Sequence, residues 1–128
     1  MRRRTPGSPF VSAATGPLRW HTDGVFALVV RFDLHDTAAA VAFDALVAEV
    51  LPQITALEPG TLVYATHTVE DEPLARVFYE VYTDRDAHRA HEAAPHTARF
   101  LAAKDRYVAS ARVDFLTSPI GKGGALSG

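Results

Sequence analysis

RVFYEVYTDRDAHRAHEAAPHTARF, residues Arg76 to Phe100, decides how this chain folds. Its first seven residues alternate as a strand, with Phe78, Glu80 and Tyr82 on one face and Val77, Tyr79 and Val81 on the other. An acidic turn at Asp84 opens a short helix, and His88, His91 and His96 are three of the six histidines in the chain. Pro95 interrupts the helix, because proline has no N–H to donate and biases Ala94 away from helical geometry. Proline also suits a first helical turn, so the helix is expected to restart there and run to about Val108.

Working outward, Glu58-Pro59-Gly60 is a turn signal, followed by a strand over Thr61–Val69. There Leu62, Tyr64 and Thr66 share one side, Val63, Ala65 and His67 the other. The run Glu70-Asp71-Glu72-Pro73 breaks it. Upstream, Phe43, Leu46, Val47, Val50, Leu51, Ile54 and Leu57 recur at helical spacing behind an N-cap at Asp36 or Thr37. Pro52 is expected to kink that helix or end its regular part. Val25–Phe32 (VFALVVRF) is a strand apolar on both faces, and residues 111–116 (ARVDFL) form a last one.

The order β-α-β-β-α-β is the ferredoxin-like arrangement. It predicts an α+β fold with a four-stranded antiparallel sheet and both helices on one face. The other face needs a cover, since large exposed apolar surfaces mark interfaces. Two sheets packed face to face would supply it, so a homodimer is expected. The alternative is a monomer with its N-terminal extension laid over the sheet.

At 128 residues the chain is one domain's worth. Its 48% hydrophobic and 22% charged content is ordinary for a globular protein. A net charge of −2 leaves no electrostatic footprint for nucleic acid or an anionic membrane. The lack of cysteine removes disulfides, thiolate metal sites and a cysteine nucleophile. Residues 1–23 read as a Pro/Gly/Ser/Thr-rich extension in which Phe10, Val11, Leu18 and Trp20 could lie across the domain or a partner subunit. The basic start lacks the apolar run of a convincing signal peptide. No apolar run approaches the ~20 residues that span a bilayer, so a cytoplasmic location is the default. The domain is expected over 24–117, with 118–128 a flexible tail.

Four strings together, EPGTLVY at Glu58–Tyr64, FYEVY at Phe78–Tyr82, the D-x-D-A turn at Asp84–Ala87 and A-H-x-x-x-P-H at Ala90–His96, carry a family likeness. Over about residues 25–117 the chain resembles the antibiotic biosynthesis monooxygenase domain family. That resemblance implies a dimeric α+β barrel with a pocket between sheet and helices in each subunit. It also implies activities that include cofactor-free oxidation of phenols and quinols by dioxygen, and isomerisation of a phosphorylated sugar. Heme-degrading enzymes of this fold use an Asn on strand one, a Trp near the end of strand three and a His ligand in helix two. Val29 or Val30, Tyr82, and Phe100 or Leu101 stand at those places here, so no heme and no other cofactor is expected.

His91 and His96 match the family's histidines, and either imidazole could act as a base near neutral pH. Otherwise they organise the helix break at Pro95. Tyr82 is a pocket wall or a hydrogen-bond donor. Glu80, if buried and unpaired, is a rival base; paired with an arginine or a backbone N–H it is structural. Tyr64 could donate to a developing oxyanion, and Phe78 and Phe100 are expected walls. His88 shares a helix face with His91, but no third ligand falls at metal-binding spacing, and it is expected to be solvated. The side on which His67 lies depends on whether a bulge reverses the register. Arg31, a lone charge in an apolar strand, is expected to be paired at the interface or a sheet end. No serine-hydrolase or nucleotide-binding motif is present.

The expected function is a monooxygenase acting on a small phenol or quinol. The alternatives are an isomerase, for which Arg76, Arg89 and Arg99 could anchor phosphate, and a non-catalytic ligand-binding module without an open pocket.

Overall fold

A computed structural model describes residues 24–122. Its elements are β1 (Phe26–Leu34), α1 (Thr37–Leu57), β2 (Thr61–Val69), β3 (Glu72–Tyr82), α2 (Arg85–Ala93), α3 (Pro95–Lys104) and β4 (Val108–Leu116). The strands form one antiparallel sheet in the order β2-β3-β1-β4. This is the ferredoxin-like α+β arrangement expected from the order of elements. The expected N-terminal extension over 1–23 and the last residues of the expected tail, 123–128, lie outside the described residues.

Strict alternation in β1 sends Phe26, Leu28, Val30, Phe32 and Leu34 into the interior. Opposite them, β3 contributes Phe78, Glu80 and Tyr82 in register with Val30, Leu28 and Phe26. From α1, Phe43, Val47, Val50 and Ile54 close the core at helical spacing. Phe43 packs edge-on against Phe78 and Phe100. Burial of one such ring stabilises the fold by roughly 1.5–3 kcal/mol.

Several boundaries differ from the sequence reading, each for a local reason. Asp36 caps α1, its carboxylate accepting from the Ala39 N–H at 2.8 Å. The helix then runs through Pro52 to Leu57. Pro52 lies on the exposed face, where the carbonyl its missing N–H leaves free can turn to water. By length and composition α1 could cross a membrane, contrary to the expectation that no apolar run is long enough. Here it is the core helix, with its Phe43–Ile54 stripe on the sheet.

Between β2 and β3 the turn is tighter than the Glu70–Pro73 break suggested, because Asp71 takes a left-handed conformation (φ 64°). As a result β3 begins at Glu72, and Pro73 falls in the stretch that extends past β1. The second helical region ends at Lys104, and β4 starts at Val108 rather than 111.

Candidate active site

A cavity of about 350 Å³ lies between the sheet and the α2–α3 pair. Its walls are mainly apolar and aromatic, with Leu28, Val30, Phe32, Phe78 and Phe100 among them. Polar groups converge from Tyr64, Glu80, His88, His91 and Thr97, with Glu92 and Lys104 as further charges. Along β4 the walls are more open: Val113 is 47% exposed and Phe115 58%.

Helix α2 explains the histidines. Its sequence, RDAHRAHEA, has no large aliphatic side chain, so the imidazoles themselves fill its inward face. His88 packs at 4.9 Å (ring centroids) from Tyr82 and 5.1 Å from Phe26. Its relative exposure is only 9%, which corrects the expectation of a solvated His88. Burial lowers its pKa and so favours the neutral ring. His91 is one helical turn on, 5.3 Å from Tyr64 and 5.4 Å from Tyr82.

Glu80 is buried, and among the described residues its partner is neither an arginine nor a backbone N–H. The Tyr82 hydroxyl donates to Glu80 Oε1 at 2.6 Å, two residues along the same strand face. Burial raises the Glu80 carboxyl above its ordinary value, more than that bond lowers it. Burial and the nearby Glu80 and Glu58 charges push both Tyr64 and Tyr82 up, so each stays a protonated donor.

The sequence reading missed Glu58, taking it only as part of a turn. Its Oε1 lies 2.7 Å from His91 Nδ1 and accepts from Thr61 Oγ1 at 2.7 Å. Its Oε2 bonds to His96 Nε2. Burial would raise this carboxyl, but the hydrogen bonds from Thr61, His96 and His91 outweigh it and hold the pKa below the ordinary value. Gly60 makes the meeting possible: a Cβ there would stand 2.7 Å from the Ala87 Cβ on α2. The Gly60 carbonyl also accepts from the Thr83 N–H at 2.9 Å. The sequence reading missed Thr97 too, whose buried Oγ1 has no partner among the described residues and which lines the cavity.

Of the expected site residues, Tyr64, Phe78, Glu80, His91 and Phe100 line this one cavity. Tyr82 is fully buried behind it and reaches it through Glu80. His96 sits on the far side of Glu58, at clefts on the outer surface. His67 faces away from the helices, its Nδ1 3.1 Å from the Val77 carbonyl. The register shifts of β2 fall at its ends, so none reverses His67. Arg31 pairs with Asp33 and Glu72.

None of the three candidate phosphate anchors lines the cavity: Arg76 pairs with Asp44, Arg89 with Asp86, and Arg99 bonds to Gln53. Among the described residues no group of three or more His, Asp or Glu could hold a metal ion.

A family model for antibiotic biosynthesis monooxygenases matches residues 25–103. No curated protein matches the chain significantly. Among solved structures the fold is similar to a protein from Caulobacter crescentus provisionally named an antibiotic biosynthesis monooxygenase. The TM-score is 0.72 at 22% identity, covering 78% of this chain and 94% of that one. A provisionally named counterpart from Nitrosomonas europaea gives 0.71 at 19% identity, covering 82% and 100%. A protein from Lactobacillus acidophilus, provisionally named a monooxygenase, gives 0.70 at 27% identity, covering 76% of this chain and 46% of that one.

Proposed function

The chain belongs to the antibiotic biosynthesis monooxygenase family, and from that premise we propose that it oxidises a small phenol or hydroquinone with dioxygen, without a cofactor. The observation that carries this reading is the apolar cavity bordered by His91, Glu80 and Tyr64. Its volume, about 350 Å³, is near the lower end of the ~300–1,000 Å³ usual for ligand pockets, which suits a small aromatic molecule.

In this mechanism His91 takes the phenolic proton and leaves an electron-rich phenolate. The phenolate passes one electron to dioxygen, and the resulting radical pair combines at a ring carbon as a peroxide. Loss of the hydrogen on that carbon as a proton and cleavage of the O–O bond leave one oxygen on the ring as a quinone carbonyl. The other departs as water, carrying that proton and the one His91 had taken. Apolar walls keep bulk water from the peroxide. Tyr64, held protonated, donates to the developing oxyanion. Glu80 is the second acid–base group, its burial favouring the protonated form.

The test is dioxygen consumption with a panel of hydroquinones and anthrones, repeated with His91→Ala. Uptake that falls ~10²–10⁴-fold in the variant supports the reading. No uptake with any substrate, or an unchanged variant, overturns it.

The working unit in this reading is a homodimer. Support comes from the outer sheet face, where half-buried Val29 and Val77 flank Tyr79, itself 37% exposed. A second copy laid sheet to sheet would cover them.

A further inference from the structure

We infer that Glu58 is the positioning residue of this site: its carboxylate fixes the tautomer of His91 and so turns the opposite ring nitrogen, Nε2, into the proton acceptor. This rests on the reading of His91 as the base. Three observations carry it.

The first is the hydrogen-bond inventory at Glu58. Its side chain is 8% exposed, and three side chains meet its two oxygens: Thr61 and His91 on Oε1, His96 on Oε2. An ionised carboxylate only accepts. A neutral His91 must therefore carry its hydrogen on Nδ1 and leave Nε2 unprotonated. His96, bonded through Nε2, must carry its hydrogen there.

The second is the placement of the two faces of the His91 ring. His91 lines the interior cavity, whereas Glu58 lines a cleft on the outer surface with Pro59, Gly60, Ala90 and Pro95. Glu58 thus stands behind the imidazole as seen from the substrate. When Nε2 takes a proton from substrate, the Nδ1–H remains on Glu58, and the imidazolium forms next to a fixed negative charge. No proton needs to pass to Glu58.

The third is rigidity. Glu58 ends α1, its N–H donating to the Ile54 carbonyl at 3.1 Å and its own carbonyl accepting from the Thr61 N–H at 3.1 Å. The Gly60–Ala87 approach then locks this turn against α2. His96 occupies the second oxygen, so the carboxylate cannot rotate away. His96 is then a second positioning group rather than an alternative base.

The groups around His91 are Tyr64 on β2, Glu80 and Tyr82 on β3, His88 and Glu92 on α2, and Glu58 at the end of α1. Only Glu58 is within hydrogen-bond distance of the ring among the described residues.

The decisive experiment is imidazole ¹⁵N NMR on the full-length chain, which reads tautomers directly and needs no substrate. Wild type should show His91 as the Nδ1–H tautomer and His96 as the Nε2–H tautomer. An Nε2–H tautomer at His91 overturns the inference. Glu58→Gln adds the kinetic arm: its amide must donate to one of the two histidines, so one tautomer should flip. At the same time kcat for quinol oxidation should fall ~10–100-fold with KM little changed, and Glu58→Asp should recover part of the loss. Unchanged kcat in Glu58→Gln overturns the positioning role. The expected tautomers without oxygen uptake on any substrate support the carboxylate clamp and overturn the monooxygenase reading instead. If Glu58→Gln fails to fold, the wild-type tautomers still decide the question.

Discussion

Glu58 and His91 stand 33 positions apart in the chain, and their side chains meet at 2.7 Å behind the wall of the cavity. The end of α1 and the last turn of α2 supply one group each. What joins them is the glycine between Glu58 and β2, which lets the turn approach α2 more closely than any side chain would allow.

That approach can be tested by Gly60→Ala. The added methyl would lie 2.7 Å from the Ala87 Cβ and 3.3 Å from Thr83 Oγ1, so α2 or the turn must move. Overpacking of this kind costs about 1–3 kcal/mol. Urea unfolding should show that loss, and the His91 ¹⁵N shifts should move because Glu58 is displaced from the ring. Wild-type stability in the variant would mean the turn has room to spare.

Glu80 should leave its mark on stability as a function of pH. Burial raises its folded-state pKa, so the folded chain holds that proton more tightly than the unfolded one. The stabilisation is complete below the unfolded carboxyl's ordinary value and is lost as pH rises through the raised one. Glu80→Gln cannot ionise, so it should gain stability relative to wild type as pH rises across that window. Glu58 has the opposite sign: its lowered pKa stabilises above the ordinary value, and the benefit disappears as pH falls through the lowered one. Urea midpoints at a series of pH values distinguish the two. Parallel curves for Glu80→Gln and wild type would show that Glu80 titrates normally.

Thr97 carries a buried hydroxyl on the wall of the cavity, without a partner among the described residues. Thr97→Val keeps the shape and removes the unpaired group, which should stabilise the free protein by about 1–3 kcal/mol. If substrate supplies the missing partner, the same variant should raise KM. Thermal unfolding and substrate titration together check this; a destabilised variant would reveal an ordered water on Oγ1.

Tyr79 lies on the sheet face away from the helices, paired with Val29 and Ala65 across the neighbouring strands. Tyr79→Arg would place a charge in the centre of the proposed dimer contact. Sedimentation should find a dimer in wild type and a monomer in the variant. A monomeric wild type removes the case for a sheet-to-sheet partner.

The fold was legible because its signals are local. The apolar run Val25–Phe32, the helical stripe from Phe43 to Leu57 and the Pro95 restart each depend on neighbours within a few residues. The site was legible only in part. Phe78, Glu80 and Tyr82 share a face by strand periodicity alone, so their meeting could be read in advance. His88 could not, because a helix without large aliphatic residues shows no apolar stripe to orient it. That lack was itself the available clue: in RDAHRAHEA only the imidazoles join a flat ring to enough bulk to fill the inward face.

By itself, then, the sequence determined the element order, the sheet and the face on which the aromatic residues lie, since backbone geometry imposes periods of two and 3.6 on local patterns. Tertiary structure decided the chemistry of the site. It gave Glu80 to Tyr82 instead of an arginine, sent His96 to the outer side, and brought Glu58 to His91. Hydrogen-bond partners across 33 residues depend on how closely two elements dock, and docking is set by side-chain volumes such as those at Gly60 and Ala87.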